Sequence, residues 1–200
     1  MDKESNYSDI VEYEKTGEGK HSHKGRSSES LLNKEVILRE LDIRPGQTIL
    51  DAGCGNGYMA REFSKLVNDS GKVYALDPDK ESIEVLRQEA KGTNIVAIVG
   101  DITKKTQIED SSIDLMYLST VFHGFSKDQI EGFEKEVKRI LKVGGKLAIV
   151  EIQKQETPFG PPLDMRCSPE DLREKISLTP KAVIEVGQYF YMQMFENLKE

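Results

Sequence analysis

From residue 28 onward the apolar positions switch between a helical period and a strand period. Leu32, Val36, Ile37 and Leu41 recur at helical spacing, with Ser28 and Ser30 ahead of them as candidate N-caps, until Pro45-Gly46 stops the pattern. Residues 47–52 then read as a strand, and residues 58–67 as a helix carrying Met59, Phe63, Leu66 and Val67 on one face. A second strand is expected over 72–76 and a second amphipathic helix over 79–90, with Ile83, Leu86 and Ala90 inward. Residues 95–99 are nearly continuous branched aliphatics, which suits a strand covered on both faces as in a parallel sheet. After a fourth strand over 113–118, Ser126-Lys-Asp-Gln129 forms a capping box. Ile130, Phe133, Val137, Ile140 and Leu141 then hold the 3.6 period. Gly144-Gly145 is expected to close that helix and a fifth strand to begin at Lys146.

The last quarter breaks the alternation. Pro158, Pro161 and Pro162 make an extended connection, and Ser168-Pro169-Glu-Asp171 places an N-cap, an N1 proline and an N3 acid at a helix start. Residues 182–186 and 189–196, joined at Gly187-Gln188, read as an antiparallel hairpin. The expectation is an α/β fold with a mostly parallel sheet and a C-terminal antiparallel hairpin, one domain over residues 1–200. Residues 1–28 are polar with no sustained period and are expected to be a flexible arm or lid.

At 200 residues the chain is long enough for one full core. No apolar run approaches the roughly 18 residues that span a bilayer, and the first residues lack a secretory h-region, so a cytoplasmic location is expected. A net charge of −7 disfavours binding to a phosphate backbone and favours a small-molecule partner. Cys54 and Cys167 lie far apart and point to free thiols. His21, His23 and His123 are too sparse for a metal site, and none is expected. An exposed hairpin edge leaves pairing into a homodimer open.

The chemistry concentrates in residues 49–57, Ile-Leu-Asp-Ala-Gly-Cys-Gly-Asn-Gly, a strand end running into a loop with glycine at every second position. Such loops commonly cradle phosphates. Asp51 argues otherwise, because a fixed negative charge repels a pyrophosphate and attracts a ligand bearing an ammonium and a sulfonium. S-adenosylmethionine (SAM) is the expected ligand. Gly55-x-Gly57-x-x-Ala60 also satisfies the dinucleotide fingerprint, with Asp77 twenty residues past Gly57 as its ribose acid, so an NAD-dependent oxidoreductase remains the rival.

The order of these features is the glycine loop, the acid after strand two, Gly100-Asp101-Ile102, the strand over 113–119, Leu141-Lys-Val-Gly-Gly145 and the hairpin. It resembles the class I SAM-dependent methyltransferases, akin to the small ubiquinone/menaquinone methyltransferase group. The resemblance covers residues 30–152 well and the hairpin loosely. It implies a Rossmann-like, doubly wound seven-stranded sheet and methyl transfer from SAM, leaving S-adenosylhomocysteine. It also implies that Gly53, Gly55 and Gly57 line the methionyl part, Asp51 orients its ammonium and Asp77 holds the ribose hydroxyls. Asp101 would accept from the adenine amino group, Ile102 would offer its backbone N–H, Pro78 would cover the ring, and the Ser119 carbonyl would face the methionyl end. A SAM-binding protein without transferase activity is the other alternative.

Methyl transfer needs a base only when the acceptor must lose a proton. His123, in the loop after strand four, is the candidate catalytic residue, because carboxyl ends of parallel strands border the ligand crevice and imidazole titrates near neutral pH.

Overall fold

The computed structural model describes residues 28–198. The expected arm, residues 1–28, lies outside the described residues but for Ser28. Strands β1 (Thr48–Ala52), β2 (Lys72–Asp77), β3 (Ile95–Val99), β4 (Ile113–Ser119), β5 (Leu141–Ile152), β6 (Thr179–Gly187) and β7 (Phe190–Glu196) form one sheet in the order β3-β2-β1-β4-β5-β7-β6. β1 to β5 pair in parallel, and β7 inserts antiparallel between β5 and β6. This is the Rossmann-like doubly wound sheet with a C-terminal antiparallel pair. The chain leaves β1 in one direction for β2 and β3, then returns to its other side for β4. The crevice at the carboxyl ends of β1 and β4 is therefore the topological switch point, where open α/β sheets bind ligands.

Helices cover both faces because the strands are apolar on both. On one face α1 (Lys34–Leu41), α2 (Tyr58–Val67) and α3 (Lys80–Glu89) bury Ile37, Leu41, Phe63, Val67, Ile83 and Leu86 against Ile49, Val73, Leu115 and Tyr117. Phe63 meets Tyr117 edge to face at 5.3 Å between centroids, a geometry worth about 0.5–1.5 kcal/mol beyond area burial. On the other face α4 (Lys127–Ile140) and α5 (Pro169–Lys175) bury Phe133, Val137, Ile140 and Leu172 against Leu50, Met116, Leu118, Leu147 and Ile149. The capping box expected at Ser126 is formed, and Ser168, the expected N-cap of α5, forms another with Asp171.

Two expectations are corrected. Neither Ser28 nor Ser30 caps α1: the cap is Asn33, whose side chain accepts from Val36 N at 3.1 Å, while Ser28–Leu31 form a short 3-10 turn. Asn33 N also donates to Val186 O at 2.6 Å, which ties the start of α1 to the end of β6. The glycine pair also does not end α4. The helix stops at Ile140, because Leu141 turns extended and pairs with Ile113 as the first residue of β5. The pairing then jumps from Ile113↔Leu141 to Leu115↔Lys146, and Gly144, at φ +77°, supplies the positive φ of that irregularity. Leu141 follows the helical period because its side chain stays buried in the same core as Ile140.

Candidate functional site

The glycine loop hangs from β2 rather than from its own strand alone: the amides of Gly53 and Cys54 both donate to Leu76 O, at 2.7 and 3.1 Å. Gly57 closes it at the start of α2 with φ +78°, and a Cβ there would strike the Leu86 side chain at 2.7 Å. Gly55 is different. Its φ is +51°, yet a Cβ would meet nothing within 4 Å, so the loop presents bare backbone to open space at this residue. Its amide is fixed by Asp77 Oδ2 at 2.8 Å, while Asp77 Oδ1 accepts from Asp79 N at 2.8 Å. The acid after strand two and the glycine loop thus form one unit, although 22 residues separate Asp77 from Gly55. Pro78 follows, exposed on the rim.

Asp51 is the buried carboxylate at the carboxyl end of β1, 3 % exposed. It is registered across from Tyr117 on β4, and its charge helps raise the Tyr117 hydroxyl, whose pKa burial already pushes far up. Ser119 ends β4 with its hydroxyl buried beside that of Tyr117; neither has a further hydrogen-bond partner among the described residues. Cys54 is buried, and burial with the charges of Asp51 and Asp77 drives its thiol well above the ordinary range, which suits a packing residue.

Asp101 opens the loop after β3 and, in the conformation seen, is turned onto that loop. Its Oδ1 accepts from Thr103 N and Oγ1 at 2.9 and 2.6 Å, and Oδ2 pairs with Lys104 at 3.2 Å. Burial opposes ionisation, and these bonds outweigh it to hold the carboxyl below its usual value. A depression of about 190 Å³ lies beside it, walled by Leu76, Ile98, Val99 and Thr106. Ile102 is buried in the second core, so only its backbone can serve a ligand.

His123 lies in the 3-10 turn Phe122–Gly124 that follows β4. Phe122 and Phe125 beside it pack on Phe133 of α4 and belong to the core. The His123 side chain is 9 % exposed, and its Nδ1 lies 2.8 Å from Glu151 Oε2, a carboxylate with no exposure at all. Glu151 Oε1 also accepts the His123 amide at 3.2 Å. Burial lowers the imidazole pKa, but the Glu151 bond and charge prevail and leave it above its ordinary value, with Arg166 opposing. Sequence reasoning did not find Glu151. Its only signal is a carboxylate inside the aliphatic run Leu147-Ala-Ile-Val-Glu-Ile152.

The model of the methyltransferase domain family matches residues 49–145, a little under half of the chain. A ubiquinone/menaquinone biosynthesis C-methyltransferase of Laribacter hongkongensis is 32% identical over 66% of this chain and 54% of its own. A probable cobalt-precorrin-6B C(15)-methyltransferase of Saccharolobus solfataricus is 31% identical over 62% of this chain and 64% of its own. Among solved structures, a SAM-dependent methyltransferase from Aquifex aeolicus superposes with a TM-score of 0.77 at 27% identity, covering 86% of this chain and 94% of that one. Fold, loop and matches together liken this chain to the class I SAM-dependent methyltransferases. Within that class the similarity is to the ubiquinone/menaquinone methyltransferases, which makes SAM the cofactor to test against the site. The chain spans between about a third and two thirds of the length of the first curated relatives it matches. Among the described residues, no helix is long and apolar enough to cross a membrane, and no group of three or more His, Cys, Asp or Glu could hold a metal ion.

The residues present fit SAM. Open backbone at Gly55, buried hydroxyls at Tyr117 and Ser119 and the carboxylates of Asp51 and Asp77 converge at the switch point. They offer acceptors to an ammonium and to ribose hydroxyls, and no cluster of cations for a pyrophosphate.

Proposed function

We propose that this protein transfers the methyl group of SAM to a small-molecule acceptor. The observation that carries the reading is the pairing of Asp77 with the Gly55 amide beside unobstructed backbone. The carboxylate suits the ribose hydroxyls, and the bare backbone suits the methionyl chain. In this reading Gly53, Gly55 and Gly57 line that chain, Asp51 orients its ammonium, and the Ser119 carbonyl borders it. Asp101, once turned from Thr103, and the Ile102 amide meet the adenine edge; Pro78 and the apolar wall of Leu76, Ile98 and Val99 flank the ring. When bound, SAM supplies a methyl group already activated for in-line displacement, so the protein's part is positioning and exclusion of water. His123 stands at the acceptor side, one turn beyond β4.

Isothermal titration tests the reading. SAM and S-adenosylhomocysteine are expected to bind and NADH not to. Tight NADH binding with no SAM binding would return the glycine loop to the dinucleotide alternative.

A further inference from the structure

We propose that the acceptor is methylated at a hydroxyl oxygen whose proton passes to His123 Nε2, with Glu151 as the positioning residue that makes this histidine a proton acceptor. The proposal rests on the methyl-transfer reading and adds the acceptor's chemistry to it.

Glu151 spends both carboxylate oxygens on His123, one on the backbone amide and one on Nδ1. A carboxylate only accepts, so Nδ1 carries the hydrogen, and in the neutral imidazole Nε2 keeps its lone pair. Among the described residues no hydrogen bond engages Nε2. A fully buried carboxylate in an aliphatic strand is expensive to keep, and this one offers both of its oxygens as acceptors to a single residue. Its negative charge strengthens both bonds and further stabilises the imidazolium as that forms.

The groups facing the pair agree with this. Arg166, on the segment before α5, opposes His123 protonation, but its guanidinium is occupied by the carbonyls of Gln153, Gln155, Phe159 and Pro161 at 2.6–3.2 Å. From β7 and the same segment, Tyr191 and Cys167 approach Glu151 as neutral groups, the tyrosine hydroxyl donating to Cys167 O at 2.7 Å.

A proton acceptor in place selects among acceptor atoms. A free amine attacks through its lone pair and sheds its proton afterwards, and a carboxylate is already ionised at neutral pH. A hydroxyl is a poor nucleophile while it keeps its proton, and a base at hand removes that proton as the oxygen attacks. The oxygen then forms its bond to the methyl carbon as the O–H proton moves to Nε2. The C–S bonding pair stays on sulfur, and the products are a methyl ether, S-adenosylhomocysteine and an imidazolium that returns its proton to water.

The test offers methyl-labelled SAM with 1-naphthol, benzyl alcohol, aniline, thiophenol or benzoate to the wild type, Glu151→Gln and His123→Ala, with products read by mass spectrometry. Transfer to oxygen of a hydroxyl probe is expected, with a rate that falls on the acid side of a pKa above the ordinary histidine value of about 6.5. Glu151→Gln should lower turnover by at least about tenfold and shift that acid limb downward while KM for SAM holds, a split that a merely structural role would not produce. His123→Ala should cost about 10²–10⁴-fold. Nitrogen-15 NMR of histidine-labelled protein needs no acceptor: it should show the Nδ1–H tautomer, and a lower His123 pKa in Glu151→Gln. Transfer only to nitrogen, sulfur, carboxylate or ring carbon, or to no hydroxyl probe by a protein that binds S-adenosylhomocysteine, overturns the proposal and leaves the methyl-transfer reading standing. So does a Glu151→Gln profile identical to wild type, or the opposite tautomer. Failure to bind S-adenosylhomocysteine removes the reading beneath it, and the proposal with it.

Discussion

Gly132 sits in the middle of α4, where glycine normally costs about 1 kcal/mol relative to alanine. The structure shows why it stands there. A Cβ would come inside 3.0 Å of the Thr103 carbonyl oxygen, a separation that real Cβ atoms essentially never show, and the obstacle is backbone that no rotamer can move. Nor is that backbone free to retreat. Thr103 is bonded to Asp101 through both its amide and its hydroxyl, and Thr106 is bonded the same way to Glu136, one helical turn beyond Gly132, at 2.8 and 2.7 Å. Overpacking costs about 1–3 kcal/mol, and a pinned backbone places Gly132→Ala in the upper part of that range. Subtracting the roughly 1 kcal/mol gained in helix propensity leaves a loss of about 1–2 kcal/mol. For a chain of this length the melting temperature should drop by about 2–8 °C. Because the displaced loop carries Asp101 and Ile102, affinity for S-adenosylhomocysteine should fall as well. Calorimetric melting and titration of Gly132→Ala measure both, and Gly124→Ala, whose Cβ would meet nothing within 4 Å, serves as the stability control. A Gly132→Ala protein that melts at or above wild type and binds S-adenosylhomocysteine equally well would refute this account of how α4 docks the loop.

Asp77→Ala removes both the proposed ribose acceptor and the anchor of the Gly55 amide, so SAM binding should weaken by about 1.5–3 kcal/mol for each charged hydrogen bond lost. Titration decides; wild-type affinity in a folded variant would mean that the cofactor lies elsewhere. Glu136 supports the same loop from α4: burial opposes its ionisation, but bonds from Arg139 and Thr106 hold its pKa below the ordinary value. Its stabilisation is therefore present above the unfolded pKa of about 4.3 and lost as pH falls through the lower folded value. Urea midpoints from neutral to acid pH should fall steeply for wild type and more gently for Glu136→Gln, which has already lost the contribution at neutral pH. Parallel declines would show that Glu136 is not a source of the acid sensitivity.

Periodicity sufficed for the alternation of strands and helices because most of these elements bury one face or both, and the glycine loop was legible because its spacing is local. Pairing partners were not. Leu141 continues the helical pattern in sequence, and its extended conformation comes from Ile113 across the sheet, which no local window contains. Asn33 takes the cap that Ser28 and Ser30 were expected to provide because α1 starts where the chain is tied to Val186, near the other end of the molecule. Glu151 looks like an interruption of a strand until His123, 28 residues earlier, is brought beside it. His123 itself was legible as a loop residue at the carboxyl end of a strand, but its near-burial was not.

Strand parity explains how one edge of the sheet can hold two separate chemistries. Asp51, Tyr117 and Ser119 point to the face covered by α1, α2 and α3, since their neighbours Ile49, Leu115, Ala148 and Val150 belong to that core. Glu151, one position beyond Val150, points to the opposite face, with Leu118, Ile149 and Tyr191. Side chains alternate along a strand, so a carboxylate at position 150 would stand among Tyr117 and Ser119, where the proposed reading puts the positive end of the cofactor. At position 151 it serves only His123. Under the proposed reading the cofactor's charge and the acceptor's proton would be handled within a few residues of one another by groups on opposite sides of the sheet, and the order Val-Glu rather than Glu-Val would keep them apart.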